Sequence, residues 1–155
     1  MKYELREVTV FDALTLYRWR NDPLVLEQSG NTKPVTWYEH FEWLDKVLKS
    51  PDYKLWIFEV DNNPVGQIRF SREDNLAVLS YSISLFPRGR GYGVDMVRMG
   101  TRLVLQEWSE VHTLWANVKW TNIASLKTLQ SAGWQLDIYE KRTESASLYY
   151  YRKAK

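Results

Sequence analysis

The sequence predicts one mixed α/β (α+β) domain with the element order β-α-α-β-β-β-α-β-α-β-β, seven strands and four helices. Three observations carry that prediction. Two capping boxes, Thr9-Val-Phe-Asp12 and Thr36-Trp-Tyr-Glu39, each open a stretch with helical spacing. Runs rich in β-branched and aromatic residues, Leu55 to Val60, Val65 to Phe70 and Ala77 to Leu85, follow one another with short turns between them. The stretch from Ser80 to Gly100 then passes from alternation, through a turn dense in glycine and arginine, into a helical period. The 155 residues, 1–155, are enough for one domain that buries its core without staples.

Taken in order, Tyr3, Leu5 and Val8 read as a first strand. The Thr9 capping box opens a helix through about Asn21, and Asp22-Pro23 stops it, because proline disfavours helix in the residue before it. Leu24 to Pro34 shows no period and reads as a loop over a site. From Thr36, the residues Trp37, His40, Phe41, Leu44 and Leu48 fall on one helical face that ends near Ser50. Asp61 to Pro64 and Arg72 to Asn75 have turn composition and separate the three strands named above. The next helix carries Val94, Val97, Thr101, Val104, Leu105 and Trp108 on one face. Thr113 to Val118 is a strand, Asn122 to Ala132 a short helix ended by Gly133, and Trp134 to Tyr139 with Ser147 to Arg152 a closing pair of strands.

Composition excludes several chemistries. There is no cysteine, so no disulfide framework, thiolate nucleophile or thiolate metal site exists. The two histidines, His40 and His112, have no metal-ligand spacing, and no metal is expected. A net charge of +2 is too mild for a nucleic-acid partner. No apolar run reaches spanning length and MKYELREV is no signal segment, so the expectation is a cytoplasmic protein without membrane contact, monomeric or homodimeric.

Three of the seven glycines, Gly89, Gly91 and Gly93, alternate in the turn before the third helix. They free the backbone N–H groups to converge, and the positive end of the helix dipole points to the same place, with Arg88 and Arg90 beside it. That is a cradle for a diphosphate. Val94 stands where a P-loop needs lysine and where the dinucleotide fingerprint needs a third glycine, so both are excluded. What remains, Arg88-x-x-Gly91-x-Gly93, resembles the acyl-CoA signature of the GNAT N-acetyltransferases. A second segment, Leu114-Trp-Ala-Asn-Val118 with Asn122-Ile-Ala-Ser125 and Gly133-Trp134, is similar to that family's strand–helix motif, with Trp for the usual Phe. The element order matches as well, over nearly the whole chain.

The resemblance implies a mixed, mostly antiparallel sheet, acetyl-CoA as cofactor, and a small-molecule amine as acceptor. It implies that the strands holding Tyr81 and Ala116 splay apart around the pantetheine arm. Backbone groups of Ser82, Ile83, Ser84 and Leu85 would pair with the arm, while Arg88, Gly89, Arg90, Gly91, Tyr92 and Gly93 would hold the diphosphate. Asn117, Asn122 and Ser125 complete the expected cofactor contacts, although Asn122 reads equally as the cap of the short helix. The family often carries a tyrosine seven residues after the motif asparagine to protonate the leaving sulfur. Here that position is Leu129, and Ser125, on the same face, is the substitute. The family's glutamate before the glycine turn is replaced by Val78 and Leu79. Glu73 and Asp74 read as solvated turn residues, and His40 is either a core histidine or the base.

The patterns Tyr17-Arg-Trp-Arg-Asn-Asp22 and Thr36-x-x-Glu-His40-x-x-Trp43 resemble two GNAT groups, the nucleotide-linked amino-sugar N-acetyltransferases and the ribosomal-protein Nα-acetyltransferases. Carried over from the first group, Arg20 and His40 would meet the substrate diphosphate, and Phe41 and Tyr81 would wall the pocket. Arg20 reads equally as a cation completing a helix C-terminus. A weak base suits an amine of low pKa, which favours the sugar reading. The rival of another class is a catalytically silent acyl-CoA-binding module.

Overall fold

The computed structural model describes residues 1–28, 33–84, 91–139 and 144–154. Its strands are β1 (Tyr3–Glu7), β2 (Tyr53–Val60), β3 (Asn63–Glu73), β4 (Leu76–Ile83), β5 (Thr113–Lys119), β6 (Gln135–Leu136) and β7 (Ser145–Tyr151). They form one sheet in the order β1-β2-β3-β4-β5-β7-β6, in which only β4 and β5 pair parallel. The helices are α1 (Ala13–Arg20), α2 (Pro23–Gln28), α3 (Trp37–Lys49), α4 (Tyr92–Glu107) and α5 (Ile123–Ser131).

Helices cover both faces of the sheet. Trp56, Phe58, Ile68, Phe70, Leu114 and Leu148 join Met96, Val97 and Val104 of α4 and Leu126 and Leu129 of α5 in the larger core. Leu55 and Ile57 turn to the other face and join Ala13 and Leu16 of α1 and Leu44 and Val47 of α3. Burial of successive residues on both faces explains the unbroken apolar run Leu55-Trp-Ile-Phe58 in β2. The hairpin between β2 and β3 is tight, with Asp61 and Asn62 both at positive φ (49° and 69°), the pattern of a type I′ turn.

Three expectations are corrected. Leu24 to Pro34 is not all loop, because α2 occupies Pro23–Gln28. Pro23 ends α1 yet suits the first position of the next helix, where a missing N–H costs nothing. Asp22 caps that helix, its carboxylate accepting from Leu24 N at 2.9 Å. Residues 29–32 of the expected loop lie outside the described residues. The Thr9 box is present, with Asp12 accepting from Thr9 N at 2.9 Å, but it opens a 3-10 turn, Val10–Asp12, ahead of α1. The closing strand expected from Trp134 to Tyr139 shortens to β6, because Trp134 is drawn into the core, its indole N–H donating to Thr101 Oγ1 at 3.2 Å.

Candidate active site

Strands β4 and β5 pair only at Leu76–Thr113, Ala77–Leu114 and Val78–Trp115. Beyond Val78 each continues beside a different partner, β4 along β3 to Ile83 and β5 along β7 to Lys119. The two strands therefore fork. Backbone groups alternate along β4, which decides what faces the fork. Ser84 N donates to Val65 O at 2.8 Å, inside the sheet. By the two-residue period of an antiparallel ladder, Ser82 also turns its backbone to β3, whereas Tyr81 and Ile83 turn theirs toward β5. The expectation that Ser82 and Ser84 line the fork with backbone groups is thus displaced by one residue. Leu85, Arg88, Gly89 and Arg90 lie outside the described residues.

The N-terminus of α4 lies at the open end of the fork. A Cβ placed on Gly93 would meet Thr128 Cγ2 at 3.3 Å and Ile83 Cγ1 at 3.9 Å, so this first turn packs between the end of β4 and α5. Gly91 is the N-cap, at φ 79°, and a Cβ there would meet nothing within 4 Å. The left-handed backbone calls for glycine, and the space beside it is open. With a glycine as cap, no cap side chain bonds the first-turn amides, which have no partner inside a helix. An uncapped helix start beside open space is what a diphosphate requires, so these residues fit coenzyme A.

Inside the fork, Tyr81 Oη and Ser125 Oγ are 2.6 Å apart, joining β4 to the first turn of α5. Burial raises the Tyr81 phenol above its ordinary value, partly offset by its bonds to Ser125 and Thr128, so the phenol keeps its proton at neutral pH. Asn122 caps α5, its side chain accepting from Ser125 N at 3.2 Å, which fixes Ser125 in place. Leu129, where the family often has tyrosine, is fully buried in the core. Asn117 is exposed on β5, opposite Ser147.

His40 is not on a ligand-facing surface. It has 0% exposure, and its Nε2 lies 3.1 Å from Ala13 O, so Nε2 carries the proton and Nδ1 is left without a partner. Burial first, and then the Arg20 charge, lowers its pKa. Phe41, its neighbour on α3, is 42% exposed and packs on Trp37. Glu73 ends β3 exposed and Asp74 is the turn residue at φ 56°, as solvated turn residues should be.

The helix-covered face opposite α4 and α5 places the expected Arg20 beside residues that sequence reasoning missed, Arg69, Gln67 and Trp43. Arg69 of β3 and Arg20 of α1 both lie over the Trp43 ring, at 5.0 and 4.8 Å from its centroid. Gln67, on the same face of β3, donates to Ser82 Oγ at 3.1 Å. Among the described residues, the buried side-chain atoms without a hydrogen-bond partner are Arg20 Nη1, Gln28 Oε1, His40 Nδ1 and Trp115 Nε1. Trp115 points away from its core neighbours Leu114 and Ala116, and Lys119, four residues along β5, reaches Glu27 O of α2 at 2.7 Å. The signal was available in β3, where polar Gln67 and Arg69 alternate with apolar Ile68 and Phe70.

Among the described residues, no helix is long and apolar enough to cross a membrane, and no group of His, Asp or Glu is arranged to hold a metal. A family model of the acetyltransferase (GNAT) domain matches residues 2–135. The chain belongs to the GNAT acetyltransferase family. It is accordingly an acetyl-CoA-dependent N-acetyltransferase. No curated protein matches it. Among solved structures it is similar to the aminoglycoside acetyltransferase AAC(6')-Ib in complex with ribostamycin and coenzyme A, at TM-score 0.83 and 19% identity, covering 98% of this chain and 94% of that one. It is similar to spermidine N-acetyltransferase from Vibrio cholerae in complex with CoA and spermine, at TM-score 0.84 and 13% identity, covering 96% and 95%. It is also similar to the Campylobacter jejuni N-acetyltransferase PseH in complex with acetyl coenzyme A, at TM-score 0.74 and 18% identity, covering 98% and 100%.

Proposed function

We propose that the protein moves the acetyl group of acetyl-CoA to the primary amine of a small molecule, an amino sugar linked to a nucleotide. The observation that carries this reading is the fork between β4 and β5, with the uncapped start of α4 at its open end and the Tyr81–Ser125 bond inside it. Acetyl-CoA supplies a thioester carbonyl open to attack by a neutral amine. The amides of Gly91, Tyr92 and Gly93 hold the diphosphate charge, with Arg88, Gly89 and Arg90 in the same turn by resemblance. The backbone N–H of Tyr81, turned into the fork, stabilises the developing oxyanion. The Tyr81 and Ser125 hydroxyls, both protonated and bonded to each other on the helix turn that Asn122 fixes, can pass a proton to the departing sulfur, and the proton that the attacking amine sheds replaces it. Ser125 thus keeps the acid role as one half of a pair.

The base sets the acceptor. The residues of β4 that turn away from α4 and α5 are Leu76, Val78, Ser80 and Ser82, none of them a carboxylate, and His40 is enclosed. An amine of pKa about 8 is roughly a tenth neutral at pH 7, whereas one near 10.4 is neutral less than about a thousandth of the time. A sugar amine therefore suits this site better than a polyamine. Arg20, in the last turn of α1 over the Trp43 ring, supports a phosphorylated acceptor.

The test follows free thiol release from acetyl-CoA with UDP-amino sugars, N-terminal peptides and polyamines. Turnover on the amino sugars is expected. Turnover only on peptides would transfer the protein to the Nα-acetyltransferases, and CoA binding without turnover on any amine would make it a silent acyl-CoA module.

A further inference from the structure

From its third turn on, α4 borders a groove apart from the acetyl-transfer site. Arg98, Arg102 and Leu105 of α4 form one wall, and Tyr150, Arg152 and Lys153, at and past the end of β7, form the other. Its volume is about 450 Å³, the size of a small-ligand site. Tyr150 packs on Trp134, 6.1 Å between ring centroids, so the ring is held as a half-buried wall. Arg102 lies eleven residues past Gly91, about 16 Å along the helix at about 1.5 Å per residue. The groove is therefore distinct from the diphosphate cradle at the start of α4.

Four cations and no carboxylate line this groove. None of the ion pairs among the described residues includes any of the four, or Asp95, one turn before Arg98. Glu110, the carboxylate that the Arg152 charge reaches, is paired with Arg72. Two of the cations have a structural task. Arg152 donates Nε to Val111 O at 2.9 Å and Nη2 to Leu105 O and Trp108 O at 2.8 and 2.9 Å, closing the end of α4. Arg98 donates Nη2 to Ser131 O at 2.8 Å, at the end of α5. Cations there complement the helix dipoles, and the carbonyl bonds fix both guanidinium groups while Nη1 of each stays available. Arg102 and Lys153 have no such task. Both are exposed, and neither side chain has a hydrogen bond among the described residues. Arg102 also stands four residues from Arg98, where like charges on a helix repel. Helix stability calls for two of these cations, not four.

The layout of the charge indicates the ligand. Arg98 at the end of α5 and Arg152 beside Leu105 mark a line of charge about 10 Å long, seven residues of helix. A single carboxylate or phosphate meets one part of that line. A chain of phosphates runs along it, and each guanidinium edge takes phosphate oxygens in pairs. Leu105 and the Tyr150 ring offer an apolar wall to a flat base. A net charge of +2 over the whole chain disfavours a long nucleic acid.

We propose that this groove binds a nucleoside triphosphate, its phosphates along Arg98, Arg102, Arg152 and Lys153 and its base against Tyr150 and Leu105. The site lies outside the acetyl-transfer chemistry and does not rest on the proposed acceptor.

The experiment is calorimetric titration of magnesium-free ATP into the full-length protein loaded with one equivalent of CoA, repeated with the double variant Arg102→Gln/Lys153→Gln. ATP affinity should fall at least tenfold in that variant, while CoA affinity, titrated separately, changes less than twofold. Lys46→Gln/Lys49→Gln removes the same charge from α3, on the other side of the sheet, and should leave ATP affinity within twofold. ATP should bind the wild type at least fivefold tighter than inorganic triphosphate, which lacks the base, and than AMP, which lacks the chain. ATP should also raise the melting temperature of the CoA-loaded wild type and not that of the Arg102/Lys153 variant. No ATP binding, or equal ATP affinity in wild type and the Arg102/Lys153 variant, overturns the proposal. An equal loss in the α3 variant would reduce the effect to net charge and overturn it as well. Inorganic triphosphate binding as tightly as ATP would remove the base from the groove and overturn the nucleoside assignment. Displacement of ATP by poly-glutamate at equal charge would give the groove to an acidic polypeptide instead. A fall in CoA affinity in the Arg102/Lys153 variant, with no ATP binding, would give it to the cofactor's own 3′-phosphate.

Discussion

Replacing Gly91 isolates electrostatics at the helix start from everything else there. Its φ of 79° penalises any side chain, but asparagine and aspartate bear the left-handed region best, and a Cβ there meets nothing within 4 Å. Gly91→Asn and Gly91→Asp therefore share the same strain and nearly the same shape, and differ by one charge. At the N-cap that charge favours the helix by about 0.5–1 kcal/mol, so the aspartate variant should fold at least as well as the asparagine one. Against a diphosphate about 5 Å away, one unit of like charge costs about 3 kcal/mol at an effective dielectric of about 20, and about 0.8 kcal/mol in bulk water. At about 1.4 kcal/mol per decade, CoA affinity should fall between about 4-fold and 200-fold relative to Gly91→Asn. Calorimetric titration of CoA at low and physiological salt measures it, and the difference should narrow with salt. If the two variants bind CoA equally well, the start of α4 does not hold the diphosphate and the reasoning fails.

Three further outcomes follow from other parts of the structure. Tyr81→Phe should lower kcat at least tenfold with CoA affinity unchanged, and unaltered kcat would remove the Tyr81–Ser125 pair from proton transfer. Asp12→Asn breaks the bidentate pair with Arg6, at 2.8 and 2.9 Å, and should cost about 1–2 kcal/mol after solvent screening. The Arg6 bond holds the Asp12 carboxyl below its ordinary value, so that stability is present at neutral pH and disappears as pH falls through the depressed pKa, and urea melts of the two proteins should converge in acid. His40 has a lowered pKa, so the unfolded chain takes up its proton first as pH falls below about 6.5, and the wild type should lose up to about 1.4 kcal/mol per pH unit there. His40→Gln should flatten that dependence; identical slopes in the two proteins would show that burial of His40 carries no proton linkage.

Most of the fold could be read from the sequence because local signals and burial agree. The capping boxes, the alternating strands and the Gly133 C-cap each act over a few residues, and the structure keeps them, with Gly133 at φ 95°. Helix α2 was hidden because Pro23 carries opposite meanings, ending one helix and beginning the next, and only Asp22 tells them apart. In the pattern containing Arg20, Asn21 proves structural, its side-chain amide bonding both N and O of Val35 at 2.7 and 2.8 Å to tie α1 to the start of α3. A pattern cannot say which of its residues serve the fold. His40 stayed open between core histidine and base for the same reason, since helical periodicity gives a face but not what lies against it. Arg69 escaped notice because a single cation in a strand has meaning only once Trp43 and Arg20 arrive from elsewhere.

Amide hydrogen exchange with and without CoA reaches the central claim most directly. Residue-resolved exchange at Tyr81, in the fork, and at Gly91, Tyr92 and Gly93, at the start of α4, should slow together on saturation, while amides in β1 and β2 stay unchanged. Saturation with CoA that leaves those four amides exchanging at their free rates would place the cofactor elsewhere and contradict the account.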